Sequence, residues 1–95
     1  KQPPDYTFVK AGMINFTRYL ANYFGKQGVR ANCICPGGYA DGQPGAFLDN
    51  YTKRVPLGRM LSNDDIKGAV VFLASDASEY VTGTSLMVDG GWTTL

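Results

Sequence analysis

The sequence predicts an α/β fold in which one long helix precedes a strand–helix–strand unit. Residues 7–24 contain no proline and carry apolar side chains on more than one helical face, which is typical of a helix that is deeply buried or shared with a partner subunit. Residues 29–35 and 85–89 are short, mostly apolar and bounded by glycine or proline, as buried strands are. The long connection between them favours a parallel βαβ unit, for which a right-handed crossover is expected.

The ends of the long helix are predicted from proline and glycine. Pro3 and Pro4 are adjacent, and they predict an extended lead-in over residues 1–5. Gly25 and Gly28 follow the last apolar residues of the helix and predict its end.

The connection between the two strands divides into an irregular part and a helix. Residues 36–61 are rich in proline and glycine, and only residues 46–53 have a brief helical pattern. A long irregular segment of this kind often covers a binding site. Ser62 is followed three residues later by Asp65, a close relative of the capping box, and this pair predicts a helix over residues 63–74.

The composition is that of one small globular domain. The chain has 95 residues, of which 44% are hydrophobic and 18% charged, and its formal net charge is +1. The basic residues are spread along the chain, so the sequence predicts neither a nucleic-acid nor an anionic-membrane partner. It contains no apolar run long enough for a membrane-spanning helix and no signal-peptide pattern at its start.

The two cysteines predict a reducing environment. Cys33 and Cys35 alternate along one apolar segment, so on a strand both would point to the same face. This arrangement favours two buried thiols over a disulfide or a metal site. A cytoplasmic location is the expectation that follows.

The residue types present exclude several chemistries and permit one. The sequence has no histidine, so a Ser-His-Asp triad, a Cys-His pair and a histidine-ligated metal are all excluded within this chain. Tyr6 and Lys10 are four residues apart, and on a helix they would lie on one face. A nearby ammonium favours the phenolate, and a tyrosine tuned in this way can exchange a proton with an alcohol oxygen. Taken alone, such a pair is more often an ordinary solvated contact.

The glycine-rich stretch after the first strand matches no phosphate-binding motif. Residues 36–42 read Pro-Gly-Gly-Tyr-Ala-Asp-Gly, which has neither Walker spacing nor the dinucleotide fingerprint. A tight turn at the end of a strand would explain these glycines without any ligand.

Four stretches together resemble the short-chain dehydrogenase/reductase family over essentially the whole chain. They occur in the order that the family has, and the last ends in Asp-Gly-Gly. The four are Tyr6-Thr7-Phe8-Val9-Lys10-Ala11-Gly12; Val29-Arg30-Ala31-Asn32-Cys33-Ile34-Cys35-Pro36-Gly37-Gly38; Phe72-Leu73-Ala74-Ser75-Asp76-Ala77-Ser78; and Thr82-Gly83 with Val88-Asp89-Gly90-Gly91.

The resemblance implies a doubly wound, parallel-sheet Rossmann domain that uses NAD or NADP. Residues 1–95 would be the C-terminal part of one such domain, without its dinucleotide-binding N-terminal half. Tyr6 would be the acid/base residue, and Lys10 would lower its pKa and hydrogen-bond the nicotinamide ribose. Pro36, Gly37 and Gly38 would end a strand beside the nicotinamide, at the carboxyl end of the sheet.

Two departures from the family pattern affect the site. The backbone near Gly38 and Tyr39 would contact the nicotinamide carboxamide, but the threonine that commonly follows Pro-Gly is missing from residues 39–42. The glycine-rich loop, the residue that selects NAD or NADP, and the catalytic serine all lie upstream of Tyr6 in this family. The 95-residue chain alone is therefore expected to be inactive.

The implied reaction is reversible hydride transfer between the cofactor and a carbonyl or secondary alcohol. Residues 41–60 are similar to those of members associated with sugar, polyol or surface-glycan metabolism, which implies a substrate of that class. The apolar long helix resembles the helix that family members pack against a partner subunit, which implies a homo-oligomer (dimer or tetramer). Two alternatives stay open: a sugar-nucleotide epimerase or dehydratase, and a non-catalytic interaction or regulatory protein. Pro-Gly-Gly and Asp-Gly-Gly favour the simple dehydrogenase over the first.

Overall fold

The computed structural model describes residues 4–39, 42 and 44–95, apart from the side chains of residues 4, 6 and 7. It confirms an α/β chain in which a long helix precedes a strand–helix–strand unit. The elements, in chain order, are α1 (Pro4–Phe24), β1 (Cys33–Pro36), α2 (Gly45–Arg54), α3 (Asn63–Ala74) and β2 (Ser85–Val88), with short 3₁₀ turns at Gly25–Gln27, Asp76–Ser78 and Trp92–Thr94.

Helix α1 begins earlier than the sequence predicts. The extended lead-in was expected to reach residue 5, but the helix already includes Pro4. Proline is favoured in the first turn of a helix because the N–H it lacks would have no helical partner there. At the other end Gly28 has φ +80°, a left-handed conformation that suits glycine, which confirms the predicted end.

Strand β1 begins later than predicted, at Cys33 instead of residue 29. The backbone just before it bonds to a turn: the Ala31 N–H donates to the Thr82 hydroxyl, and the Ala31 carbonyl accepts from the Gly83 N–H at 2.7 Å. These partners satisfy the chain without a ladder, so the regular strand is short. Helices α2 and α3 and strand β2 lie close to their predicted ranges.

The two strands are neighbours in one parallel sheet. The Cys33 N–H donates to the Thr84 carbonyl at 3.0 Å, and the Gly37 N–H donates to the Val88 carbonyl at 2.9 Å. Because both partners advance by four residues in the same direction, the pairing is parallel, as predicted. The handedness of the crossover stays a prediction.

Burial is lower than the sequence predicts. Within the described part of the chain, the buried apolar side chains are Ala21 and Val55. Cys33 and Cys35 are half-buried and form no disulfide. The sequence predicted buried thiols, and the difference arises because β1 has one strand neighbour among the described residues.

The chain divides into two compact units. The first consists of the stretch up to Cys33 with Leu73–Leu86, and the second of Ile34–Phe72 with Met87–Leu95. Within the described residues, no helix is both long enough and apolar enough to cross a membrane.

The first unit contains a scaffold cluster, formed by Arg30, Asn32 and Ser78. The Arg30 guanidinium donates to the carbonyls of Val81, Leu73 and Ser75, at 3.0, 2.9 and 3.3 Å. Asn32 donates its amide to the Val81 carbonyl at 3.0 Å and accepts from the Thr84 N–H at 3.1 Å. The buried Ser78 hydroxyl lies 3.1 Å from the carbonyls of both Leu73 and Ser75. These contacts fix the end of α3 and the start of β2, which is a structural role.

Candidate functional site

A cleft lies within the second unit, where β1 and β2 end. Its volume is about 580 Å³. The carboxyl ends of parallel strands are where open α/β sheets bind ligands. The cleft is lined by Gly37, Gly38, Tyr51, Pro56, Leu57, Arg59, Met60, Leu61, Asp65, Met87, Val88, Asp89, Gly90, Gly91 and Thr94.

Gly37 and Gly38 are glycines because of close packing. Neither has a positive φ, so a left-handed turn does not explain them. A Cβ at Gly37 would approach the Asp89 Cα to 2.8 Å, and one at Gly38 would overlap the Tyr51 ring. The missing side chains therefore allow the Asp89 backbone and the Tyr51 ring to pack directly on the turn.

The backbone polar groups of this turn have partners inside the protein. The Gly37 N–H belongs to the strand pairing, and the Gly38 carbonyl accepts from the Leu61 N–H at 2.8 Å. The Gly38 N–H donates to the Tyr51 hydroxyl at 2.7 Å. Of these three bonds, only the last ends on a side chain.

Tyr51 belongs to an aromatic clasp, formed by Tyr51, Arg54 and Trp92. The rings of Tyr51 and Trp92 are stacked, with centroids 4.6 Å apart and an interplanar angle of 1°. The Arg54 guanidinium carbon lies 5.7 Å from the Trp92 ring centroid, within the range of a cation–π interaction. The clasp holds α2 to the 3₁₀ turn that follows the Asp-Gly-Gly sequence.

An ion pair forms another part of the cleft wall. Arg59 binds Asp65 through two hydrogen bonds, at 2.7 and 3.0 Å, and Asp65 also accepts from the Ser62 N–H and hydroxyl at 2.8 and 3.0 Å. The bond from Arg59 and those from Ser62 hold the pKa of Asp65 well below its usual value. The predicted cap is thus confirmed, while the pairing with Arg59 was not predicted.

Asp89 shapes the turn after β2. Its carboxylate accepts from the N–H groups of Gly91 and Thr93, at 3.0 and 3.2 Å. Hydrogen bonds from Thr93, and then from the Gly91 backbone, lower its pKa. Gly90 and Gly91 have φ of +64° and +94°, so this turn does depend on glycine's conformational freedom.

The predicted catalytic pair lies in the other unit. Positions 6 and 10 are one turn apart in α1, as predicted, but the side chain of Tyr6 lies outside the described residues. Lys10 is exposed on α1.

Besides Tyr6 and Lys10, four predicted cofactor contacts follow one another at the end of β1. Gly37 and Gly38 line the cleft, whereas Pro36 is the last residue of the strand. Tyr39 forms an isolated parallel bridge with Leu61, and its hydroxyl donates to the Asn63 side chain at 2.8 Å. Ala40, Asp41 and Gln43, which carry part of the predicted substrate segment, lie outside the described residues. The described residues contain no cluster of acidic and cysteine side chains that could hold a metal ion.

The sequence did not reveal the clasp. Tyr51 is thirteen positions from Gly38, and no helical or strand period relates the two. Trp92 is the single tryptophan of the sequence, which could have singled it out, but nothing in its spacing indicates its partners.

Comparison with known proteins gives one consistent result. Residues 1–93 match the family described as Enoyl-(Acyl carrier protein) reductase. The crystal structure of a short chain dehydrogenase from Leptospira borgpetersenii with bound NAD+ superposes with a TM-score of 0.93 and 49% identity, over 98% of this chain and 37% of the other.

Curated relatives match over a similar share of their length. L-rhamnose 1-dehydrogenase (NAD(P)(+)) of Azotobacter vinelandii is 44% identical over 90% of this chain and 36% of its own. The 3-oxoacyl-(acyl-carrier-protein) reductase of Chlamydia trachomatis is 42% identical over 92% of this chain and 37% of its own. The chain thus spans little more than a third of the length of these relatives.

Proposed function

We propose, since this chain belongs to the short-chain dehydrogenase/reductase family, that the intact protein transfers a hydride between NAD or NADP and a carbonyl or secondary alcohol. The observation that carries the proposal is the cleft at the carboxyl ends of two parallel strands, walled by the side-chain-free Gly37 and Gly38. The predicted Rossmann fold is confirmed by the structural likeness to the Leptospira enzyme.

The residues of the cleft fit the nicotinamide end of such a cofactor. Gly37 and Gly38 contribute backbone to the cleft wall, with Asp89 and Tyr51 packed where their Cβ atoms would be. Leu57, Met60 and Leu61 contribute apolar side chains to the lining of the same cleft. When bound, the cofactor supplies or accepts the hydride.

The proton that accompanies the hydride is assigned to Tyr6. Its phenol would donate to the substrate oxygen during reduction and take the proton back during oxidation. The Lys10 ammonium would stabilise the phenolate and bind the nicotinamide ribose. The helical backbone through positions 6 and 10 supports this assignment, because it brings residues four apart to one face. Pro36, Gly37, Gly38 and Tyr39 are proposed as the cofactor-binding turn.

The substrate class proposed is a sugar or polyol. The relative named for L-rhamnose supports it, and so does the similarity of residues 41–60 to sugar-associated members. The relative named as an acyl-carrier-protein reductase marks a 3-oxoacyl thioester as the competing substrate to test.

The 95 residues are proposed to complete one Rossmann domain together with a dinucleotide-binding half, and to be inactive alone. Several large apolar side chains on α1 are exposed in this chain, including Phe8 at 80% and Tyr23 at 62%. Their cover would come from the rest of the domain and from a second subunit of a homo-oligomer. A cytoplasmic location is proposed from the two thiols.

The test is an NAD(P)H absorbance assay of the intact protein with sugars, polyols, ketones and a 3-oxoacyl thioester. Tyr6→Phe removes the proton-exchanging hydroxyl, so we expect kcat to fall by about 100-fold or more. Tyr80→Phe is the matched control, because Tyr80 is fully exposed, two residues after the 3₁₀ turn Asp76–Ser78. Turnover that survives Tyr6→Phe would remove Tyr6 from the mechanism. Cofactor binding without turnover on any substrate would favour the non-catalytic alternative.

A further inference from the structure

We propose that Trp92 is a positioning residue for substrate binding: its stack on Tyr51 holds α2 in place, so that one wall of the cleft is formed before a ligand arrives. This substrate wall consists of Tyr51, Pro56, Leu57, Arg59, Met60 and Leu61. The inference rests on the proposed function, because α2 and most of this wall lie in the segment assigned to the substrate. It deepens that function by giving a role to a residue outside the segment.

The later part of the substrate wall is held by backbone. The Leu57 N–H donates to the Gly90 carbonyl at 3.0 Å, and the Leu61 N–H donates to the Gly38 carbonyl at 2.8 Å. Val55, which follows α2, is buried. Because neither hydrogen bond uses a side chain, this part of the wall does not depend on the side chain at position 92.

Helix α2 has no such support. None of its described side chains is buried. Among the residues that the structure describes, the α2 side chains that hydrogen-bond to or stack on other elements are those of Tyr51 and Arg54. The Tyr51 ring is stacked on Trp92 with centroids 4.6 Å apart, and the Arg54 guanidinium lies over the same indole. Both residues of α2 therefore meet the side chain of Trp92.

Trp92 itself is fixed to the end of β2. Its N–H donates to the Asp89 carbonyl at 3.1 Å, and the Asp89 carboxylate accepts from the N–H groups of Gly91 and Thr93 on either side. A Cβ at Gly91 would approach the Pro56 ring to 2.9 Å, so this turn also packs on the substrate wall. The end of the sheet therefore determines the position of Trp92, and Trp92 determines that of α2.

Loss of the stack has a predictable kinetic sign. Without an aromatic ring at position 92, α2 should populate orientations in which the substrate wall is incomplete, and the apparent affinity for substrate falls with the fraction that is still competent. The chemical step should be unaffected, because in the proposed mechanism α2 contributes no group to the transfer of the hydride or the proton. An aromatic stack shifts such an equilibrium by up to about tenfold, so Trp92→Ala is expected to raise KM for the substrate about 5- to 10-fold and to change kcat by less than about 2-fold.

Steady-state kinetics of the intact protein at saturating cofactor test this, with the sugar, polyol, ketone or 3-oxoacyl thioester that gives the highest turnover. Trp92→Phe keeps a ring for the stack, so its KM should lie within about 2-fold of the native value. Leu95→Ala is the matched control and should leave KM unchanged, because it removes an apolar side chain that is 68% exposed, three residues after Trp92. An equal rise of KM in Trp92→Phe would overturn the positioning role. So would an unchanged KM in Trp92→Ala, since a residue that only stabilises the fold would lower kcat through loss of active protein at constant KM.

A second measurement uses the native protein and so does not depend on the folding of a variant. Hydrogen exchange at the amides of residues 49–54 in α2 should already be slow without ligands, and cofactor with substrate should slow it further by less than about 2-fold. Amides of α2 that become protected only when ligands are added would overturn the positioning role alone, because the wall would not be formed beforehand. A native protein with no turnover on any of these substrates would overturn the proposed function and the role of Trp92 together.

Discussion

The scaffold cluster and the cleft use the same residue type in opposite ways. Arg30, in the scaffold cluster, donates to three backbone carbonyls, none of which titrates. Arg59, in the cleft wall, donates to the Asp65 carboxylate, and 57% of its side chain is exposed. Arg30 thus binds carbonyls whose charge does not change with pH. The ion pair of Arg59 is weakened when Asp65 is protonated and when salt screens the two charges.

The same contrast extends to the uncharged contacts of the two regions. Asn32 and Ser78 bond to backbone that belongs to the fold, so their removal should cost stability. Tyr51 accepts from the Gly38 N–H, a backbone group in the wall of the cleft. Hydrogen bonds in the scaffold cluster hold elements of the fold together, whereas the Tyr51 bond lies in the wall of a cavity.

Removal of Arg30 should have the largest effect on stability. Arg30→Ala removes three hydrogen bonds from a charged group, which are stronger than average, and leaves the three carbonyls with Asn32 and Ser78 as their remaining donors. We therefore expect the free energy of unfolding to fall by about 3–5 kcal/mol. Urea denaturation of the intact protein would measure it. Arg18→Ala, at an exposed position of α1, is the control and should change stability by less than about 0.5 kcal/mol. Equal effects of the two substitutions would contradict the assigned role of the scaffold cluster.

Adding a methyl group to each glycine of the cleft turn should give an intermediate and unequal effect. Gly37→Ala meets the Asp89 Cα at 2.8 Å, and backbone cannot move aside, so a loss of about 2–3 kcal/mol is expected. Gly38→Ala meets the far end of the Tyr51 ring, which can shift, so the loss should be only about 1 kcal/mol.

Gly68→Ala is the matched control for these two substitutions. Gly68 lies within α3 with open space around its Cα, so alanine there should stabilise the protein by about 0.5–1 kcal/mol. Thermal unfolding of the three variants would give the order. A larger loss at position 38 than at position 37 would show that the clasp is more rigid than the strand end.

Acidification should produce the smallest effect, confined to the cleft. The pKa of Asp65 is lowered in the folded protein from its ordinary 3.8, chiefly by Arg59 and then by Ser62. A lowered pKa means that the ionised carboxylate stabilises the fold above about pH 4, and that this contribution is lost as the pH falls toward the folded value. Asp65→Asn should therefore make stability less dependent on pH below 4.

Acid titrations followed by circular dichroism would test this dependence. Asp64→Asn, which removes the neighbouring exposed charge, is the control. The Asp89 carboxylate, whose pKa is also lowered, remains in both variants, so some acid sensitivity should persist. An acid limb that is identical in Asp65→Asn and the native protein would show that the ion pair does not contribute to folding.

The elements that the sequence predicted best are those with local signals. Ser62 with Asp65 and the apolar repeat after it gave the bounds of α3, and Gly28 gave the end of α1. The start of β1 was predicted four residues too early, because the apolar Val29 and Ala31 extend the strand-like pattern that precedes Cys33. Hydrogen bonds from a distant turn at Thr82 and Gly83 decide their conformation instead, and no local pattern shows those bonds.

The sequence predicted the part of the site that lies in one short stretch, and missed the contacts between residues that are distant in sequence. Gly37 and Gly38 were assigned to the cofactor turn because the stretch that contains them resembles the family's, and they do line the cleft. Tyr51 and Arg59 were not identified, because each meets its partner through the irregular segment after β1. Such contacts depend on how that segment folds back, and loop packing has no sequence period.

The two-stranded sheet has a consequence for handling the chain. Among residues 4–39, 42 and 44–95, β1 and β2 pair with each other, so each presents an outer edge of N–H and C=O groups. Such edges are templates for strand addition by another molecule. The 95 residues alone are therefore expected to self-associate through these edges. The time for which they stay monomeric in solution should depend on protein concentration as well as on temperature.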